Sequence, residues 1–427
     1  HGDDSAACAE DRAAADWHLG FMTANIDCSG RIMGLGADES REEKFLKKVI
    51  RVDEAGWELE ADQKHLQNLL KMHGLDGENA KGCATPWDKE LDKMPDGDDL
   101  LAEEAAGLFK SGTGIGQYLA AERYDLQFPV KECRREAAAP TKRAQARLKR
   151  IARYLVSHRR VVIRFRFLTR QEKSDPKLAK EARRIRVFID ASHAGCKRTR
   201  KSTTSGVGMR GPHNLGEFTA TQVPISLSSG ESEFYSLLRA AVEAKFLRNL
   251  MQWLEFDVEQ AVPELCSDAT AALGAAARLG VGKRMRHINT QHLFIQKEVN
   301  DGLLVLKKVK GEDNPADTGT KPLVEAKMKR LMEMVGLKFM TGAVVAARAR
   351  GAAAMKISLV EESTGAVMQV YDSVVTAKDE LLARAAGVME SGFSLADLCV
   401  LLLVVLIYEV VKQLLVEMVV EKIRGRR

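Results

Sequence analysis

Arg184-Ile185-Arg186-Val187-Phe188-Ile189-Asp190 alternates basic and apolar residues and then stops on an acid. A period of two marks a strand with one buried face, and an acid at its end puts a carboxylate at the rim of a sheet. Three more acids follow, each in its own box. The boxes read Ser228-Ser229-Gly230-Glu231-Ser232-Glu233-Phe234-Tyr235, Cys266-Ser267-Asp268-Ala269 and Asn314-Pro315-Ala316-Asp317-Thr318-Gly319-Thr320-Lys321. Glu231 and Glu233 open a helical pattern that Ser228 or Ser229 can cap, with Phe234, Leu237, Leu238, Ala241, Val242, Phe246, Leu250 and Leu254 spaced as a core-facing stripe. Pro263–Ser267 is a short, partly apolar run that ends at Asp268, and an Ala-rich helix follows it. Leu303–Val309 reads as another strand, with Asp317 in the turn beyond. Acids at strand ends and at a helix start can meet at one rim.

Carboxylates gathered at one point repel one another, and a divalent cation is the usual reason to hold them together. Mg²⁺ takes oxygen ligands. Two such ions a few ångströms apart clamp an in-line displacement at phosphorus. The four boxes therefore predict a metal-dependent nuclease, with Asp190, Glu233, Asp268 and Asp317 as catalytic and metal-binding residues and Glu231 as the alternative to Glu233.

In order and wording the boxes resemble the ribonuclease H domain of copia-type retrotransposon polyproteins. The resemblance implies a mixed five-stranded sheet with flanking helices. The first Asp ends strand one, the Glu box opens the first helix, the third acid ends strand four and the Ala-Asp-x-x-Thr-Lys box carries the last. It implies two Mg²⁺ or Mn²⁺ ions, an RNA/DNA hybrid as substrate and cleavage of its RNA strand. Phe234 matches the aromatic residue after the family's second Glu, which favours Glu233. Arg200-Lys201-Ser202-Thr203-Thr204-Ser205-Gly206 is similar to a family turn, and Arg286-His287-Ile288-Asn289 through Phe294-Ile295 to a further family segment. Arg198, Arg200, Lys201, Ser202, Arg284, Arg286 and His287 are the candidate nucleic-acid contacts, although the hydroxyls of residues 202–205 also suit a turn. Two departures stand out. The third box has Ala269 after the acid where the family has Asn, and Lys310-Gly311-Glu312-Asp313 lacks the His that many ribonucleases H carry before the last Asp.

The resemblance extends upstream. Val49–Val52, Gly56–Gln63 and Leu69–Pro86 are similar to the late palm and thumb of a copia-type reverse transcriptase, as are Gly114–Phe128 and the helix-like Arg147–Val156. His1-Gly2-Asp3-Asp4 resembles a variant of the polymerase's Tyr-x-Asp-Asp metal box, which makes Asp3 and Asp4 a polymerase remnant. On that reading the chain opens within the palm, lacks the earlier acid, and makes no DNA by itself; a full-length reverse transcriptase subunit is a possible partner.

At 427 residues, two to three domains are expected. The reading divides the chain into a truncated palm and thumb at 1–130, a basic connection at 131–183, a ribonuclease H-like domain at 184–339 and a helical tail at 340–427. Charge is uneven. Residues 131–201 hold 24 Lys or Arg against 6 Asp or Glu in a chain that is net +6, so the remainder is acidic. A basic block beside an acid site suits a nuclease, since cations hold the phosphate backbone while the acids hold metal; its bland counterpart is a solvated helix face. The seven Cys are dispersed without a Cys-x-x-Cys pair, which fits free thiols in an intracellular, cytoplasmic or nuclear setting. His287 and His292 lack a zinc-type partner set, and Ser229-Gly230-Glu231 lacks the flanking glycines of a nucleophile elbow. The apolar run 398–408 is too short for a usual membrane span of about 20 residues. Extended to 423 it reads as an amphipathic helix for self-association, with a tail anchor as the other option. A non-cleaving nucleic-acid-binding relic and a membrane-associated structural protein remain alternatives to the enzyme.

Overall fold

The computed structural model describes residues 5–9, 11–46, 48–61, 63–93, 99–254, 262–280 and 282–340. The elements in chain order are α1 (Arg12–Asn25), β1 (Glu42–Phe45), β2 (Lys48–Asp53), β3 (Gly56–Glu60), α2 (Gln63–Met72), α3 (Lys89–Lys93), α4 (Glu103–Ala120), α5 (Tyr124–Arg134), α6 (Lys142–Ser157) and β4 (Val161–Arg166). There follow α7 (Arg170–Ser174), α8 (Pro176–Arg183), β5 (Ile185–Ser192), β6 (Thr203–Arg210), β7 (His213–Thr221), α9 (Ser229–Trp253), β8 (Glu264–Ser267), α10 (Thr270–Ala277), α11 (Phe294–Asn300), β9 (Val305–Lys308), α12 (Glu325–Met334) and β10 (Leu337–Phe339). The chain divides into two compact units, with the described residues from Met33 onward all in one of them. In the other, α1 is capped by Asp11, whose side chain accepts from the Ala14 amide.

The larger unit contains two five-stranded sheets. The second has the order β7-β6-β5-β8-β9. Its strands β5, β6 and β7 are antiparallel, while β5–β8 and β8–β9 are parallel. The parallel pairs need crossovers, which α9 and then α10 with α11 supply. This mixed five-stranded sheet with flanking helices is the arrangement that the resemblance to a ribonuclease H domain implies.

β5 follows its sequence period. Ile185, Val187 and Ile189 are buried in a core with Phe234, Leu237 and Ala241 of α9, whereas Phe188 packs toward the other core. β6 is buried from Thr203 to Met209, because it lies between β7 and β5 and is covered on both faces. Small residues permit the cover: a Cβ on Gly208 would come within 2.6 Å of Leu247 Cδ1 of α9. On the opposite face Val207 and Met209 join the core of α5 and α6. Thr203, Thr204 and Ser205 are therefore strand residues, which corrects the turn reading of that stretch.

The core stripe of α9 also needs correction. Phe234, Leu237, Leu238 and Ala241 are buried, but the stripe continues through Ala244, Leu247 and Met251. Val242, Phe246 and Leu254 are exposed. At about 100° per residue the buried positions 237, 241, 244 and 251 fall to one side of Phe234, and Val242 and Phe246 fall to the other.

The first sheet has the order β1-β2-β3-β4-β10 and is antiparallel throughout. β4 comes from the stretch read as a basic connection, and β10 comes from the end of the stretch read as the ribonuclease H-like domain. Met328, Met332, Val335 and Leu337 pack with Leu69, Phe109, Leu148 and Ile151 in one core. Residues 184–339 therefore share a core with the elements before them. The fully buried Tyr124 adds a polar tie, its hydroxyl lying 2.9 Å from Ser205 Oγ.

Candidate metal centre

Asp190 ends the buried run of β5. Asp268 follows the last residue of β8, the parallel neighbour of β5, so the two acids emerge at the same sheet rim. Glu233 stands in the first turns of α9, where Ser228 caps the helix by accepting from the Glu231 amide at 3.2 Å. A ring of buried hydrogen bonds fixes that end of α9 to the sheet. Gln222 Nε2 donates to Thr204 Oγ1 at 2.9 Å and to Ser232 O at 2.7 Å, and the Thr204 and Ser236 hydroxyls are 2.8 Å apart.

One carboxylate oxygen each from Asp190, Glu233 and Asp268 lies within 4.8 Å of the other two. Glu233 Oε2 is buried and has no hydrogen-bond partner. Burial pushes Glu233 up to about 8, with the negative charges of Asp190 and Asp268 adding to the effect. Burial likewise pushes Asp190 up to about 6, against the pull of Lys321 and with further push from Asp317 and Asp268. Both shifts describe carboxylates that lack a sufficient counter-charge.

The chain positions these acids from several sides. The Thr320 hydroxyl donates to Asp190 Oδ2, and Lys308 Nζ donates to the backbone oxygen of Asp268. Gly311 lies so close to Asp268 that a Cβ there would stand 2.7 Å from Oδ2. Asn314, fully buried, donates to Ile189 O at 2.9 Å and so ties the last acid box to β5.

Asp317 stands next to the cluster but has other partners. It lies in the 3-10 turn Pro315–Gly319, with Lys321 Nζ 2.6 Å from its Oδ1 and Lys327 Nζ 2.7 Å from its Oδ2. Lys321 Nζ is also 3.6 Å from Asp190 Oδ2. Glu231 points elsewhere, as a residue two positions from Glu233 on a helix must. Its Oε2 accepts from the Leu227 amide at 2.9 Å and lies 3.0 Å from His287 Nε2.

No protein-family model matches the chain. Among curated proteins, the retrovirus-related Pol polyprotein from transposon RE1 of Arabidopsis thaliana is 27% identical over 229 residues, which cover 54% of this chain and 15% of that one. The corresponding polyprotein from transposon TNT 1-94 of Nicotiana tabacum is 24% identical over 282 residues, 65% of this chain and 20% of that one. At this modest identity the chain is similar to copia-type retrotransposon Pol polyproteins over roughly half to two thirds of its length. It spans a fifth or less of the length of these relatives. Among solved structures, LC11-RNase H1, isolated from compost by a metagenomic approach, matches 32% of this chain and 93% of its own at 15% identity and a TM-score of 0.24.

The candidate nucleic-acid residues separate into two groups. Arg198, Arg200, Arg286 and His287 are exposed, and Lys201 is half-buried. Arg284 lies in the 3-10 turn Lys283–Met285. Ser202, by contrast, is fully buried and accepts from the Ala194 amide at 3.0 Å, so it closes a loop and is not available to a ligand.

The basic block is also reassigned in large part. Arg147 pairs with Glu136, Arg160 with Glu60, Arg164 with Asp53 and Glu58, and Arg166 with Glu172. Arg184 and Arg186 share Glu264. These guanidinium groups balance buried or half-buried acids of the chain's own fold.

Sequence reading missed Asn314, Thr320, Lys321 and Lys327 as residues that shape the site. Thr320 and Lys321 lie within the last box, and the i,i+4 spacing of Asp317 and Lys321 was the available signal. Asp3 and Asp4 lie outside the described residues, as does the tail 341–427 with its apolar run 398–408 and the proposed association segment up to 423. Among the described residues no helix is long and apolar enough to cross a membrane.

Proposed function

We propose that this chain is a metal-dependent nuclease of the ribonuclease H type, which hydrolyses the RNA strand of RNA/DNA hybrids. The observation that carries the reading is the convergence of Asp190, Glu233 and Asp268, from two strand ends and a helix start, with one buried Glu233 oxygen left without a partner. The donor set is all carboxylate oxygen, which fits Mg²⁺ or Mn²⁺ rather than zinc. Asp190, Glu233 and Asp268 would hold the cation, with Asp317 beside them. Bound there, it would supply a nucleophile from water at neutral pH and offset the charge that develops on the phosphate.

The chain's own residues do the positioning. Thr320 orients Asp190 through its hydroxyl, and Lys308 fixes the Asp268 backbone. The exposed Arg198, Arg200 and Arg286 offer contacts to backbone phosphates. Choice of RNA over DNA needs a contact to the 2′-hydroxyl or a reading of groove shape, and the resemblance of the four acid boxes to a ribonuclease H domain supports the hybrid as substrate.

The reading is tested by giving the full chain an RNA/DNA hybrid, duplex RNA and duplex DNA of one sequence, with Mg²⁺ or with EDTA. Cutting of the hybrid's RNA strand in Mg²⁺ alone is the expected result. Hybrid binding without cutting in either Mg²⁺ or Mn²⁺ would replace the enzyme with a binding relic.

A further inference from the structure

The four acids of this site are not equivalent in charge. Asp190, Glu233 and Asp268 face one another, and the partnerless Glu233 oxygen lies among them. Asp317 instead has an ammonium group beside each oxygen: Lys327 donates to Oδ2 at 2.7 Å, and Lys321 Nζ lies 2.6 Å from Oδ1 as an ion pair without a hydrogen bond. Lys321 reaches further, its Nζ standing 3.6 Å from Asp190 Oδ2. It is thus a cation that stands between the first and last acids.

We propose that in the free protein the Lys321 ammonium holds the cation position between Asp190 and Asp317, so that the centre takes one divalent ion and admits a second only when Lys321 moves away. This rests on the reading of the acids as a cation site given above. The reason is electrostatic. Like charges this close repel one another strongly, and a divalent ion doubles that repulsion. The three open carboxylates carry enough negative charge to hold one dication, whereas Asp317 is already neutralised. Lys321 is exposed, and its stem leaves the turn after Asp317, so its head group can swing into solvent when an incoming phosphate competes for it. Lys321 acts here as a positioning residue that sets cation number.

The experiment counts Mn²⁺ bound to the metal-free full chain, by the loss of free-ion electron paramagnetic resonance signal, for wild type, Lys321→Met and Lys321→Gln. The glutamine variant keeps a hydrogen-bond donor toward Asp317 and serves if the methionine variant does not fold. One Mn²⁺ per wild-type chain is expected, and two per variant chain, the second at least tenfold tighter than any second ion in wild type. Two ions of similar affinity in wild type, or one ion in the folded variants as well, would overturn the role of Lys321 and leave the nuclease reading standing. No Mn²⁺ on any of the proteins would remove the nuclease reading itself and the role of Lys321 with it.

Discussion

In the first sheet, Glu58 and Glu60 are buried beneath Arg164, Arg160 and Arg51; at the rim of the second, Asp190 and Glu233 are packed among further acids. Burial raises every carboxylate, yet Glu60 is held below the usual range because the Arg160 and Arg51 guanidinium groups outweigh that effect. Asp190 and Glu233 rise to about 6 and about 8. The same residue type is thus a completed ion pair in one sheet and an incomplete one in the other. The incomplete site is where an external cation has something to do. A fold that places arginine opposite buried glutamate on two neighbouring strands, yet leaves three acids facing each other, has separated structural charge from functional charge.

The comparison breaks most visibly in activity. Asp190→Asn removes a carboxylate from the open cluster and should lower hybrid cleavage on the order of 10³-fold, the scale of removing one group that stabilises a transition state. Gel-shift binding of the hybrid should persist, and loss of cleavage and binding together would point to misfolding instead.

Glu60→Gln should act in the opposite sense, on the fold. It leaves Arg160 and Arg51 facing a neutral group, and breaking a buried pair costs about 3–5 kcal/mol. Urea unfolding at pH 7 reads this directly. Because the folded pKa of Glu60 is depressed, its contribution is present above the unfolded value near 4.5 and is lost as pH falls below it. An unchanged unfolding midpoint would mean the first sheet does not depend on that pair.

Glu233 carries the reverse sign. Its folded value of about 8 lies above the ordinary 4.5, so its favourable contribution is complete below about pH 4.5 and vanishes as pH rises through 8. In EDTA, Glu233→Gln should therefore be more stable than wild type at pH 8, by up to a few kcal/mol, and nearly equal to it at pH 4.5. Mg²⁺ at a hundredfold excess over its Kd should restore about 2.7 kcal/mol to wild type and much less to the variant. Equal responses to Mg²⁺ in a thermal-shift titration would contradict a cation site at Glu233.

The smallest effect sharpens the geometry. Ser228→Ala removes the N-cap of α9 and should cost about 1 kcal/mol, with a modest loss of cleavage because Glu233 stands in that helix's first turns.

How much of this was legible depended on distance along the chain. The period of two in 185–189 and its terminal acid placed β5 and Asp190, since both signals lie within a few residues. The order of the boxes gave the fold class, and Phe234 after Glu233 separated it from Glu231. Long-range pairing left no such trace. Arg164 pairs with Asp53 across 111 residues and Arg184 with Glu264 across 80, so the basic block looked like a ligand surface while much of it is internal charge balance. Ser202 looked like an available hydroxyl because its partner, the Ala194 amide, is set by a loop rather than by any pattern. The second half of α9 misled for a related reason: alanines face the sheet where it approaches closely, and the larger Val242 and Phe246 lie outside. Hydrophobicity alone ranks those positions in the wrong order.

The most direct measurement is single-turnover cleavage of an RNA/DNA hybrid labelled separately on each strand, with the full chain and its Asp268→Asn variant in Mg²⁺. RNA-strand products from wild type, none from the DNA strand, and none from the variant at equal hybrid binding are what the open acid centre predicts. Equal RNA cleavage by the Asp268→Asn variant would contradict it.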